Sequence, residues 1–195
     1  MEPNITVIVP TFGRTTLTTV VRDIVGQMHP GDQFIVAGDG PAPSAEARVA
    51  ECDGLVEYVG SPERAGDYGC TPFDKAMPLA RGHAIWFIGD DDRYPPGSLD
   101  AIRKAVAQQP DVVHVFSMMC IGRKLSRSLE VRYISGQQMV VPNRPDLPQW
   151  KHFPSGHVQV SDFHWIHRVI NLVGRYQFHD EIICILERQN SGADL

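Results

Sequence analysis

The sequence predicts an α/β domain with a mostly parallel central sheet flanked by helices. Two observations carry this. The apolar runs Ile5–Val9, Phe34–Ala37 and Ala84–Ile88 are short, continuous and rich in β-branched or aromatic residues, as strands buried on both faces are. Amphipathic stretches stand between the early runs, so the chain opens β-α-β-α-β, the rhythm of right-handed crossovers onto a parallel sheet.

Taken in order, strand Ile5–Val9 ends at Pro10-Thr11-Phe12-Gly13-Arg14. Thr15 or Thr16 can cap a helix whose stripe is Leu17, Val20, Val21, Ile24, Val25 and Met28, and His29-Pro30-Gly31-Asp32 stops it. Strand Phe34–Ala37 closes in Gly38-Asp39-Gly40-Pro41; a helix from Ser44 to about Cys52 and a strand Leu55–Val59 follow. Gly60–Pro72 is long, polar and glycine-bearing, and loops of that length in compact domains are usually functional or mobile. Phe73–Arg81 reads as a short helix that Pro78 must bend or shorten.

The stretch from His83 to Leu99, HAIWFIGDDDRYPPGSL, organises the rest. Its buried strand runs into Gly89 and then into Asp90, Asp91 and Asp92. Adjacent anions at the end of a strand repel one another. They make sense around a hard cation such as Mg²⁺ or Mn²⁺, whose remaining positions substrate phosphates often fill. Open α/β sheets bind ligands at this end of their strands. The alternative is a solvated acidic turn. Tyr94-Pro95-Pro96-Gly97 forces a turn, and Ser98 can cap the helix Leu99–Gln109.

Val112–Met118 is a further strand. Gly122–Tyr133 alternates weakly, as a hairpin does, and carries Arg123, Lys124, Arg127 and Arg132. Gly136–Pro154 reads as irregular, Asp162–Val173 as an amphipathic helix ended by Gly174, and Tyr176–Glu187 shows no clean period.

Bulk properties exclude several classes. At 195 residues with 43% hydrophobic content the chain forms one domain with a sizeable core. A formal charge of −5 argues against a nucleic-acid-binding surface. No run approaches the roughly 18 apolar residues of a membrane span, and Met1-Glu2-Pro3-Asn4 lacks a basic signal-peptide start. Cys52, Cys70, Cys120 and Cys184 form no CxxC pair and read as reduced cysteines of a cytoplasmic protein. His164 and His167, three apart on a helix, and His152 and His157 lack a third ligand at zinc spacing and read as surface or packing histidines.

Four segments, in this order and spacing, resemble the family-2 glycosyltransferases of the GT-A fold. They are the strand ending Pro10-Thr11-Phe12-Gly13-Arg14, the strand ending Gly38-Asp39-Gly40, Ala80-Arg81-Gly82-His83-Ala84-Ile85, and Ile88–Leu99, similar to the family's L-D-x-D-D-x-x-x-P-x-x-L. The resemblance runs from residue 5 to about residue 118. It implies a GT-A domain over 1–195, with 1–118 the nucleotide-sugar-binding half and 119–195 the acceptor-side half. It also implies a nucleoside diphosphate sugar donor, UDP favoured, and an Mn²⁺ or Mg²⁺ cofactor. The acceptor is unknown (a glycan, a lipid-linked molecule or a small one), and an oligomer is possible.

Residue by residue, the resemblance puts Pro10, Thr11, Phe12 and Arg14 against the nucleotide and Asp39 on the base, where an ionised carboxylate accepts from an N–H edge. An Asx turn before Gly40 is the alternative for Asp39. Aligned on Pro95–Leu99, the D-x-D motif falls on Gly89 and Asp91; read literally it is Asp90 and Asp92. Asp91 is the expected direct metal ligand, Asp90 faces the ribose or sugar, and Asp92 supports the metal. The sequence departs from the pattern twice. Gly38 stands where the family has an Asp, and Phe73-Asp74 replaces Arg-Asn, leaving Arg64, Lys75 or Arg81 to meet phosphate.

Inverting transfer needs a base on the acceptor hydroxyl. The family places it in an acidic pair after a helix-Gly-x-[FY] segment, which here is Val173-Gly174-Arg175-Tyr176 followed by His179-Asp180-Glu181. Asp180 is the expected base, Glu181 the second choice and His179 a further metal ligand; the alternative is that these residues cap a C-terminal helix. Two rival functions remain. A nucleotidyltransferase typically begins with a glycine-rich phosphate loop, and residues 10–14 hold one glycine; a non-catalytic nucleotide-sugar-binding protein of the same fold fits Phe73 in place of Arg.

Overall fold

The computed structural model describes residues 2–131, 133–150 and 161–186. Arg132, His152, Pro154, His157 and Glu187, named above, lie outside the described residues.

The elements are β1 (Ile5–Thr11), α1 (Leu17–Val25), β2 (Gln33–Gly38), α2 (Pro43–Ala50), β3 (Val56–Val59), α3 (Cys70–Ala76), β4 (Ala84–Phe87), α4 (Ser98–Gln108), β5 (Val113–Cys120), β6 (Arg123–Leu125), β7 (Met139–Pro142), α5 (Ser161–Val173) and β8 (Tyr176–Leu186). They build a mixed sheet ordered β3-β2-β1-β4-β7-β5-β6, with β8 also paired to β5. The β3-β2-β1-β4 half is parallel. Strand β7 is antiparallel to both its neighbours, and β8 runs parallel to β5.

Alternation along the strands divides the core. Ile5, Val7 and Val9 face α1, α2 and α4, whereas Ile8, Ile35 and Phe87 face α3 and α5. The predicted stripe of α1 is buried at Leu17, Val20, Val21 and Ile24. At the strand-start end, Asp32 (1% side-chain exposure) is ion-paired with Arg103 (5%) and accepts the backbone N–H groups of Ile5 and His29 at 2.8 Å each.

Several expectations need correction. The helix expected over 73–81 starts at Cys70, because Pro72 falls in its first turn, where a missing N–H costs nothing. Pro78 then sits in a 3₁₀ turn, Met77–Leu79, that ends it. Neither Thr16 nor Ser98 caps through its side chain: Thr16 makes no capping bond, and Ser98 Oγ donates to the Pro95 and Ile183 carbonyls from inside α4. Among the described residues of the expected 122–133 hairpin, only β6 pairs with β5. The supposedly irregular 136–154 contains β7, fully buried between β4 and β5. Tyr176–Leu186 is a strand, so His179-Asp180-Glu181 caps no helix. Those three residues interrupt its pairing: Val115 pairs with Phe178 and Ser117 with Ile182, so the intervening residues bulge from the ladder.

Candidate active site

The carboxyl ends of β1, β2 and β4 open into a cavity of about 990 Å³. Its near wall comes from Pro10, Thr11, Phe12, Arg14, Asp39, Arg64, Tyr68 and the Gly89-Asp90-Asp91 turn; its far wall comes from Ser135-Gly136-Gln137, Ser161, Asp162 and Phe163. Phe73, Phe87 and Trp150 also line it, packed edge-on or tilted at centroid distances of 4.7–5.2 Å. Trp150 in turn stacks on Trp165 at 4.1 Å. Phe73 therefore serves this aromatic layer, which explains the departure from Arg at that place. The neighbouring Asp74 accepts the Trp150 backbone N–H at 2.6 Å.

Pinning of the acidic turn is local. The Tyr94 hydroxyl accepts from Gly89 N–H at 2.7 Å and donates to the Gly89 carbonyl at 3.0 Å, closing the turn against a wholly buried ring. Each carboxylate then has its own partner. Asp90 accepts from Thr11 Oγ1 at 2.6 Å, Asp91 is ion-paired with Arg14, and Asp92 accepts from Gln137 Nε2 at 2.9 Å. Burial pushes Asp90 up to about 6, against the pull of Thr11 and Arg14. Burial, reinforced by the charge of Asp91, pushes Asp92 up to about 7.

At the end of β2, Asp39 holds the 64–66 loop, accepting the backbone N–H groups of Ala65 at 2.7 Å and Gly66 at 3.1 Å. These bonds reach a loop distant in sequence, unlike those of an Asx turn. A Cβ at Gly38 would collide with the Tyr58 hydroxyl, so the tyrosine fills the place where the family pattern has an Asp side chain. Gly69 is required twice: its φ is +87°, and a Cβ there would lie 2.7 Å from Pro10 Cγ.

The structure brings Pro10, Thr11, Phe12, Arg14, Asp39, Asp90 and Asp91 to one cavity, with Asp92 behind its wall on Gln137. Asp180, Glu181 and His179 are not among its lining residues. Asp180 is exposed on the β8 bulge, bound by Arg127 Nη2 at 2.6 Å and by Lys124, and these cations hold its carboxyl below the usual range. Glu181 beside it is exposed. His179 meets His114 Nδ1 at 3.0 Å and stacks on Phe116 at 4.5 Å, which occupies it in packing. Of the three candidate phosphate cations only Arg64 lines the cavity; Arg81 pairs with Glu57 and Lys75 Nζ donates to Ser61. His167 hydrogen-bonds the Leu129 carbonyl, as a packing histidine does.

Asp162, which the sequence reading did not single out, also lines the cavity. It sits in the first turn of α5, where the helix dipole favours a carboxylate, and accepts from Gly136 N–H at 2.8 Å and Ser135 Oγ at 3.1 Å. The available signal was an acid directly before a helical stripe, which also reads as an ordinary helix start.

Among the described residues no three His, Cys, Asp or Glu side chains converge as a metal cage. The donor chemistry still fits a hard divalent ion. Such ions are commonly held by one or two carboxylates plus substrate phosphates, and Asp90 and Asp91 are hard oxygens on the cavity wall. Burial is what raises Asp90 and Asp92, and Arg14, the cation beside them, offsets only part of it.

The model of the family described as Glycosyl transferase family 2 matches residues 6–171. No curated protein matches the chain. Among solved structures, S. aureus TarS in complex with UDP-GlcNAc superposes with a TM-score of 0.76 at 17% identity, over 98% of this chain and 62% of that one. The mannosyltransferase PcManGT from Pyrobaculum calidifontis, in complex with GDP-Man and Mn²⁺, superposes with a TM-score of 0.72 at 21% identity, over 98% of this chain and 59% of that one. A further S. aureus TarS structure gives 0.74 at 14% identity and is covered over only 36% of its length. The chain thus spans at most about three-fifths of these proteins, and the likeness establishes a shared GT-A-like fold. Among the described residues no helix is long and apolar enough to cross a membrane.

Proposed function

This chain belongs to glycosyl transferase family 2, and from that premise we propose that it moves a sugar from a nucleoside diphosphate sugar to an acceptor hydroxyl with inversion. One observation carries the reading: a single strand-end cavity is lined on one wall by Thr11, Asp39, Asp90 and Asp91 and on the other by Asp162. A donor lying along the first wall would present its anomeric carbon toward the second.

In this account Asp39 reads an N–H edge of the base, Pro10 and Phe12 flank the nucleoside, and Arg14 and Arg64 meet the diphosphate. Asp91 and Asp90 would hold an Mn²⁺ or Mg²⁺ ion, with Asp92 supporting from behind; bound there, the ion neutralises charge developing on the leaving diphosphate. Asp162 replaces Asp180 as the base. It takes the proton of the acceptor hydroxyl while the acceptor oxygen bonds to the anomeric carbon and the bond to the diphosphate breaks. Gly136 and Ser135 fix its orientation. Glu181 and His179 have no role in this scheme.

UDP-sugars are the favoured donors on the family resemblance, with GDP-sugars the next, and similar solved structures hold UDP-GlcNAc and GDP-Man. The acceptor is a glycan, a lipid-linked molecule or a small one, and four free cysteines suit a reducing, cytoplasmic setting. Isothermal titration with UDP, GDP, CDP and ADP, with Mn²⁺ and with chelator, tests the reading. Metal-dependent binding of one nucleotide is expected; no binding of any of them overturns it.

A further inference from the structure

Six side chains of the near wall are linked through Arg14, Phe12 and Arg64. Arg14 pairs with Asp91 and lies 3.6 Å from Asp90 Oδ1. The Arg14 guanidinium carbon stands 4.7 Å from the centroid of Phe12, and that of Arg64 stands 4.4 Å from the same ring. Arg64 Nε lies 4.0 Å from Asp39 Oδ2. Phe12 is itself 41% exposed, so its ring is held by two cations at the cavity mouth and not by a core.

The arrangement has two consequences. Two guanidinium groups gathered on one ring form a ready receptor for a diphosphate, each neutralised meanwhile by an acid of the same wall. Arg14 also takes the place beside Asp90 and Asp91 that a divalent ion bound to those carboxylates needs, and two cations cannot share it without strong repulsion. We propose that Arg14 is the resident counter-cation of the acidic turn, that it opposes metal binding while no donor is present, and that it yields Asp91 to the ion when the diphosphate takes its guanidinium. Metal and nucleotide therefore load cooperatively, with Arg14 as the coupling element. This rests on the nucleotide-sugar reading above for the identity of the diphosphate, but the competition between Arg14 and metal stands without it.

Arg14 has 39% of its side chain exposed and lies in a loop, so neutral variants are expected to fold. The test is an electron paramagnetic resonance titration of Mn²⁺ into the full chain, first without nucleotide and then with UDP or GDP. Arg14→Gln should bind Mn²⁺ about tenfold more tightly than the wild type without nucleotide, and should lose most of the tightening that nucleotide brings to the wild type. Arg14→Met, which keeps a long unbranched side chain but no charge, should do the same. Arg64→Gln, which removes the cation beside Asp39, should leave nucleotide-free Mn²⁺ affinity within about twofold of wild type. Unchanged or weaker Mn²⁺ binding in both Arg14 variants, or an equal gain in Arg64→Gln, overturns the proposal. A wild type that binds no nucleoside diphosphate overturns the proposed function instead, and the nucleotide-free titration still judges Arg14.

Discussion

Replacing Asp162 with Asn separates the proposed base from the one that the sequence motif points to. The amide keeps an oxygen for the Gly136 N–H, now 2.8 Å from the carboxylate, and loses the ability to take a proton. A charge-assisted bond becomes a neutral one, so the fold should lose no more than about 1 kcal/mol. General-base catalysis is worth roughly 10²- to 10⁴-fold in rate, which is about 3–5 kcal/mol of barrier. The two effects are far enough apart to read independently. Release of nucleoside diphosphate from the donor, by transfer to an acceptor or slowly to water, should fall at least about 100-fold, while calorimetric affinity for the nucleotide stays within about threefold. Asp180→Asn removes an exposed carboxylate bound by Arg127 and Lys124 on the β8 bulge and should leave turnover unchanged. Retained turnover in Asp162→Asn, or lost turnover in Asp180→Asn, refutes the assignment.

Two further expectations concern the frame that holds the cavity. Arg103→Met should lower stability to chemical denaturation by about 3–5 kcal/mol, because Asp32 is left charged and buried without its partner; adding Asp32→Asn should recover part of the loss. His114 is 1% exposed, and burial holds its pKa down at about 4, below the unfolded value of about 6.5. The unfolded chain thus binds the proton first as pH falls, so this histidine's contribution is fully present above about 6.5 and is lost progressively down to about 4, by at most about 3 kcal/mol. Denaturation midpoints at pH 7 and pH 5 should differ less in His114→Gln than in the wild type; an equal difference removes His114 from the pH dependence.

What was legible in the sequence followed from local physics. Strands β1, β2 and β4 are continuous apolar runs, and α1 carries a clean helical stripe, so burial alone dictates them. The near wall of the cavity was equally readable, because Thr11 ends β1, Asp39 follows β2 and Asp90 stands three residues beyond β4. The far wall was not. Asp162 gains meaning only when α5 lies against Phe87 and Trp150 beyond the end of β4, and that contact joins segments distant in sequence. Strand β7 was hidden by its shortness and by Pro142, whose effect is harmless at a strand end. Strand β8 was hidden by His179-Asp180-Glu181, three polar residues that bulge out of its pairing. The motif-like acids after Gly174 point to that bulge, and only tertiary structure places Asp162, and not them, at the cavity.

The most direct test of the central claim is calorimetric titration of the intact chain with UDP and with GDP, each in Mn²⁺ and in chelator, alongside Asp91→Ala. The account predicts that one nucleotide binds in Mn²⁺, that chelator abolishes most of the affinity, and that Asp91→Ala does so as well. Binding that is indifferent to both metal and Asp91, or no binding of either nucleotide, contradicts it.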